Sequence, residues 1–366
     1  MSAEQDLHHI ESQIARLVRE YCGIPNMDYL GPSLTTVMQG VIDQAAASSE
    51  GGKRLRALLT LAAYDCVMRS LHSGDMRPAN REAVVTLACA LEVFQTAALV
   101  HDDIIDESDL RRGKPSAHRA LAGLMHSDVD GNGLGIMLGD LLATASIRIA
   151  HDATRPLPHA QELLDVFVDT QHDVEIGQVL DVATATIPLN DPAALAKASL
   201  DVFRWKTASY TTIAPLHLAF LAAGMAPREA KAHALAIGEP LGVAFQLADD
   251  LLDVTGSSKN TGKPIGGDIK EGKRTVLLAD LINRADEEQR TDITAIFCAP
   301  TRSDEDVDHI IDLYQRTGAL DASRDRIRQL WNESCAALGT LGLQPYDEAA
   351  LRAMCAHFVP SSLVSE

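Results

Sequence analysis

"FQTAALVHDDIIDESDLRRG" occupies residues 94–113, and its reading decides the fold. Back to Arg81, apolar residues recur at three- and four-residue intervals, so residues 81–105 read as an amphipathic helix. That helix runs into Asp102, Asp103 and Asp106, with Arg111 and Arg112 close behind. Carboxylates at a helix C-terminus oppose the macrodipole unless a cation compensates. On a helix, positions i and i+4 lie about 40° apart around the axis. Asp102 and Asp106 therefore project from one face, with Asp103 beside them.

The same D-D-x-x-D pattern returns as Asp249, Asp250 and Asp253 in "FQLADDLLD". Each triplet follows an apolar helix and precedes a break, "ESDLRRG" in one case and "VTGSS" in the other. A single triplet reads as well as a solvated helix end. Two copies, each followed by a basic, glycine-containing loop, read as sites for a hard cation. All-oxygen donors suit Mg²⁺, which keeps waters and accepts phosphate oxygens. The arginines then supply further charge around a diphosphate. "DVDGNG" from Asp128 resembles the first half of a calcium loop, but its twelfth position is Gly139 rather than Glu. It reads instead as a glycine-rich turn before a helix that begins near Leu134.

Helical periodicity also covers residues 5–20, 34–47, 54–71, 134–150, 160–181, 192–223, 227–253, 275–284 and three stretches after Asp304. No segment alternates with period two, so the expectation is an all-α chain without a sheet. One large helical bundle over residues 1–366 follows from the short connections. The polar loop 255–274 is the exception, and its length points to function.

The chain has 366 residues, 46% hydrophobic, with a formal charge of −19. So acidic a surface disfavours nucleic acid and anionic membranes as partners. Any anionic substrate needs local basic groups or metal ions. The six cysteines are scattered, without C-x-x-C or Cys/His spacing, and read as reduced thiols of a cytoplasmic protein. The first residues lack a basic head and an apolar stretch, so no signal peptide is expected. No run of about 18 uninterrupted apolar residues occurs, so no integral membrane association is expected.

With these residues in view, the chain resembles the trans-prenyl diphosphate synthases, the polyprenyl synthetase family. The likeness is carried by "GGKRLR" at Gly51, "FQTAALVHDDIIDESDLRRG", "GDLL" at Gly139, "GQVLD" at Gly177, "KT" at Lys206, "FQLADDLLD" and "GKPIGGDIKEGKRT" at Gly262. Each is weak alone; together, in family order, they are specific. The wording around the first triplet looks most like actinobacterial geranylgeranyl diphosphate synthases. Ala57, where many members carry Pro, Gln95, where many have His, and a C-terminus without a basic tail depart from the commonest pattern.

The resemblance implies a helical bundle of the isoprenoid synthase type around a central cavity, and a homodimer. It also implies Mg²⁺-dependent condensation of isopentenyl diphosphate with an allylic prenyl diphosphate. Asp102, Asp106, Asp249 and Asp253 match its metal carboxylates, Asp103 and Asp250 looking like supporting ones. Lys53, Arg56, Gln95 and Arg112 match the isopentenyl diphosphate pocket. Arg111, Lys206, Lys263 and Lys273 match groups on the allylic diphosphate. Thr207 and Gln246 match polar groups near the nascent cation, with Gln178 and Asp181 behind them. Plain structural readings stay open for several: Lys53 and Arg56 as surface bases, Gln95 as a capped core amide, Thr207 as bonded to its own helix backbone.

Product length turns on Ala97 and Ala98. Ala98 lies one helical turn before Asp102, where short-chain members carry an aromatic; Phe94 and Leu91 lie deeper. The expectation is geranylgeranyl diphosphate or a longer trans-polyprenyl diphosphate. A class I terpene cyclase and a non-catalytic subunit of a heteromeric synthase are the alternatives. The isopentenyl-site bases argue against the first, and the retention of both triplets against the second.

Overall fold

The computed structural model describes residues 3–24, 27, 29–71, 78–256 and 265–364. The described residues are almost entirely helical, and they divide into two compact units.

The first unit is Met1–Val168 with Leu218–Ala230. It contains α1 (Ala3–Cys22), α2 (Pro32–Ser48), α3 (Leu55–Leu71), α4 (Pro78–Ile105), α5 (Ala117–Met125) and α6 (Asp128–Thr154). Helix α4 is its axis. Val84, Val85, Leu87, Ala88, Leu91 and Val93 are all fully buried. Burying each of the larger side chains contributes roughly 1.5–3 kcal/mol. Helix α6 packs along α4 and α5 through Gly131, Gly135 and Gly139, one turn apart. A Cβ at Gly131 would overlap the Ala122 backbone, and one at Gly139 would overlap the His101 ring.

This packing corrects the reading of "DVDGNG". The segment is the first turn of α6, capped by Ser127, whose hydroxyl accepts from the Asp130 amide at 3.2 Å. Its glycines cost helix propensity, about 1 kcal/mol each, and at Gly131 close approach to Ala122 of α5 offsets the cost, while Gly133 faces open space. The expectation of no sheet is also corrected. Strands β1 (Leu110–Arg111) and β2 (Lys114–Pro115) pair antiparallel across Arg112 and Gly113, whose φ angles are +53° and +74°. Two positive φ values in a two-residue loop make the tight hairpin turn that glycine permits. Strands of two residues are too short to show alternation.

By length and composition, two helical stretches could cross a membrane: Asn80–Ile105 and Asp128–Thr154. The apolar window of the first is 72% buried inside the protein, as befits a core helix. Helical turns carry enough small and polar residues to hide this from a search for uninterrupted runs.

The second unit is Asp169–His217 with Lys231–Glu366. It takes in most of α7 (Ala160–Thr184), then α8 (Pro192–Val202). The stretch 192–223, read as one helix, is broken. Phe203–Ile213 is π-helical, and α9 (Ala214–Ala222) follows it. Helix α10 (Pro227–Thr255) carries the second triplet. Beyond it come α11 (Gly267–Glu271), α12 (Val276–Arg284), α13 (Glu287–Cys298), α14 (Asp304–Thr317), α15 (Ala319–Leu338), α16 (Pro345–Cys355) and α17 (Ser361–Val364). Helix α11 lies inside the expected loop 255–274, and α5 and α13 lie outside the helical stretches expected from the sequence.

Candidate active site

The first triplet sits where the sequence places it. Helix α4 ends at Ile105, and Glu107 turns the chain away at φ +53°. The Ser108 amide then bonds back to the Asp103 carbonyl at 2.8 Å, closing the helix end. Asp102 and Asp106 are half-buried. Asp103 differs: it is buried, and its carboxylate accepts from Arg111 Nε at 2.9 and 3.2 Å and from Nη2. Burial works against the Arg111 charge, but those hydrogen bonds and the charges of Asp103, Asp102 and Asp106 raise its pKa above the ordinary value. Asp103 is therefore the anchor that aims Arg111.

Arg112 forms the hairpin tip. Its guanidinium donates to the carbonyls of Glu50 and Gly51 and lies over Gly52, where a Cβ would come within 2.9 Å of Nη2. Gly52 has φ +91°, so only glycine suits the position on both counts. Burial lowers the Arg112 pKa from its ordinary value, and Arg54, Arg111 and Arg56 lower it further, with Glu92 opposing. Such mutual repulsion among guanidinium groups is relieved by an anion. A cavity of about 750 Å³ opens here, lined by Gly51, Gly52, Leu99, Asp103, Arg111 and Arg112 among others. Lys53 is exposed, Gln95 half-buried and Arg56 buried, so Arg56 is no surface base.

The second triplet divides its labour differently. Asp249 is exposed and Asp250 buried. Gln246 Nε2 donates to Asp250 Oδ1 at 2.9 Å, while Asp250 Oδ2 is buried without a hydrogen-bond partner among the described residues. Thr207 Oγ1 donates to Gln246 Oε1 at 3.0 Å, which settles Thr207 as a side-chain partner of Gln246. Asp253 accepts from the amides of Gly267 and Asp268 at 3.2 and 3.1 Å, capping α11. Lys206 Nζ bonds Asp181 Oδ2 at 2.6 Å. Lys273 lies 2.8 Å from Glu271 and 3.6 Å from Asp268. Lys263 lies outside the described residues.

Asp268 is the residue the sequence reading missed. Burial pushes its pKa up to about 7; Lys273 opposes, and Asp253, Glu271 and Asp249 add to the rise. Asp250 is raised as well, by burial and then by Asp268 and Asp249, against the Gln246 hydrogen bond. The position of Asp268 in "GGDIKEG" was visible, but only the fold brings it to the triplet. Among the described residues no three His, Cys, Asp or Glu side chains group closely enough to hold a metal ion by themselves. The crowded carboxylates and the unpaired Asp250 oxygen nevertheless fit a divalent cation that takes its remaining ligands from phosphate and water.

The sequence matches the polyprenyl synthetase family model over residues 38–314. The chain belongs to that family. This synthase is 31% identical over 304 residues to the octaprenyl diphosphate synthase of Escherichia coli, covering 83% of this chain and 84% of that one. It is 31% identical over 245 residues to the geranylgeranyl diphosphate synthase of Sulfolobus acidocaldarius, 66% of each. Among solved structures, the geranylgeranyl pyrophosphate synthase of Corynebacterium glutamicum, complexed with isoprenyl diphosphate and magnesium, superposes with a TM-score of 0.79. That pair shares 30% identity over 98% of this chain and 99% of the other. The chain is thus a prenyltransferase of the trans-isoprenyl diphosphate synthase type, with the isoprenoid synthase helical fold.

The three residues that the sequence ties to product length by resemblance separate on α4. Phe94 and Ala97 are buried, at 2% and 1% exposure. Ala98 is half-exposed on the side that carries Gln95, Leu99 and Asp102. Met137 of α6 is 52% exposed.

Proposed function

We propose that this synthase joins isopentenyl diphosphate to an allylic prenyl diphosphate with Mg²⁺, making geranylgeranyl diphosphate or a longer trans-polyprenyl diphosphate. The observation that carries the reading is Arg112, a guanidinium pressed on the Gly51–Gly52 backbone among other guanidinium groups. It makes a diphosphate seat beside the first triplet and additional to the carboxylates of both, which a cyclase acting on one substrate does not need. Mg²⁺, when bound, neutralises the leaving diphosphate as its C–O bond breaks.

The chain's own residues do the rest. Asp102, Asp106 and Asp249 offer the metal-facing carboxylates, and Asp253 acts mainly by holding α11 in place. Arg112, Lys53, Arg56 and Gln95 bind isopentenyl diphosphate. Arg111, Lys206, Lys273 and Lys263 hold the allylic diphosphate. Thr207 and Gln246, bonded to each other, are polar groups near the nascent cation. The exposed apolar residues Val129, Ile136 and Met137 on one stripe of α6 support pairing of two copies, and the reading places the dimer in the cytoplasm without membrane insertion.

Mass spectrometry of products from purified protein, Mg²⁺, isopentenyl diphosphate and each allylic primer tests the reading. Expected are geranylgeranyl or longer products, none in excess chelator, from protein that sediments as a dimer. Turnover of an allylic substrate without isopentenyl diphosphate would favour the cyclase instead.

Three variants refine it. Arg112→Ala raises the KM for isopentenyl diphosphate by roughly tenfold to a hundredfold, through loss of a charge-assisted contact of about 1.5–3 kcal/mol. Arg111→Ala acts on the allylic substrate. Steady-state kinetics with each substrate varied in turn reads the split; equal effects on both substrates would refute it. Ala98→Phe places a ring one turn from Asp102 and shifts the product to farnesyl diphosphate. An unchanged product ladder would show that the growing tail does not pass α4 here.

A further inference from the structure

Two helices of the second unit grip the π-helical stretch Phe203–Ile213 in the same way twice. In α7, Gly177 seats the Lys206 backbone so closely that a Cβ would overlap its N and Cα. One turn later, Asp181 bonds the Lys206 ammonium at 2.6 Å. In α10, Gly242 seats Ala208, where a Cβ would overlap Cα, Cβ and Thr212 Oγ1. One turn later, Gln246 accepts from the Thr207 hydroxyl at 3.0 Å. Each clasp is a bare backbone seat followed, four residues on, by a polar hand.

A third contact locks the far end. Thr212 is fully buried, and its hydroxyl lies 2.6 Å from the Gly238 carbonyl and 3.2 Å from the Ala208 carbonyl. Gly238 in turn lets α10 approach Ile213, whose Cα would lie 2.9 Å from an added Cβ. π-Helices are rare and occur mostly as single-turn bulges inside α-helices, frequently at functional sites. This stretch runs for 11 residues, and the Ala214 amide reaches back five residues to Ser209. Side-chain hydroxyls take carbonyls four residues back, Thr212 to Ala208 and Ser209 to Trp205. The same back-bonding occurs in α-helices, Thr60 to Arg56 in α3 for one, so it is the bond from Thr212 to the Gly238 carbonyl of α10 that ties the stretch to its neighbour.

We propose that Thr212 is a positioning residue of this synthase, holding the π register that presents the Lys206 ammonium and the Thr207 hydroxyl. Returning the stretch to α-helical register would rotate both groups off Asp181 and Gln246. The inference rests on the proposed function for its kinetic consequence, and on geometry alone for its structural one.

Thr212→Val keeps the shape and removes the hydroxyl; Thr212→Ser keeps the hydroxyl. In Thr212→Val, kcat falls by about 10- to 100-fold, the size of effect that small misplacement of reacting groups produces. The KM for isopentenyl diphosphate stays unchanged, because its binding residues lie elsewhere. Hydrogen exchange over residues 203–213 rises in Thr212→Val, and Thr212→Ser restores both readouts. Should Thr212→Val not fold, Thr212→Ala carries the same comparison. Unchanged kcat, unchanged exchange, or a serine variant as impaired as the valine one overturns the proposal. Absence of condensation by the wild type would instead defeat the functional reading, and the exchange comparison would still decide the clasp.

Discussion

Asp102→Asn and Asp249→Asn each lower kcat by about 10²–10³-fold, the scale seen when one preorganised electrostatic partner of a transition state is lost. Both substitutions keep the shape of the side chain and remove a charge. Each falls on a carboxylate that the fold leaves accessible, Asp249 fully and Asp102 in part. Stability should not suffer with activity. Asp250 and Asp268 are already pushed up by burial and by their acidic neighbours, Asp249 among them for each. Removing the Asp249 charge relieves that repulsion, so the metal-free Asp249→Asn variant melts no lower than the wild type. Kinetics at saturating Mg²⁺ beside thermal melting in chelator checks both halves. Wild-type turnover by the double variant would end the assignment of the triplets to metal.

Glu92→Ala has the opposite profile, a large loss of stability from a residue with no place in the chemistry. Glu92 and Arg54 are 2% and 4% exposed. Their charged ends lie 3.6 Å apart, and Glu92 also accepts the Ala57 amide at 3.1 Å. Arg54 holds φ +51° and donates to the Ser49 carbonyl, so this pair braces the turn that carries Gly51, Gly52 and Lys53. Removing one partner of a buried pair strands the other, at a cost of about 3–5 kcal/mol. Urea denaturation of Glu92→Ala should show that loss. A loss below about 1 kcal/mol, the range of an exposed pair, would mean that water reaches Arg54. The double variant Arg54→Met/Glu92→Leu should recover most of the stability, since well-packed apolar residues replace such pairs at little cost.

Much of the molecule was legible in the chain. The apolar spacing in residues 81–105 marked α4, because a helix that buries one face against neighbours must repeat apolar residues every three to four positions. The carboxylates after it marked the helix end, since that end is where a metal or a cation must answer them. The ordered motifs marked the family, and with it Asp102 and Asp249 as matches to its metal carboxylates. These are local properties, set by residues within a few turns of one another.

Tertiary structure alone decided what depends on distant neighbours. "DVDGNG" joined α6, capped by Ser127, because α5 lies against its Gly131. Residues 203–213 left the α register because α7 and α10 offer bare backbone and hydroxyl acceptors that no local propensity reports. Asp103 became the anchor of Arg111, Asp253 the cap of α11, and Asp268 a member of the acidic cluster, although "DDxxD" spells each triplet identically. A carboxylate's role is set by which donor folds against it, and that donor lies 8 residues away for Asp103 and 14 and 15 away for Asp253.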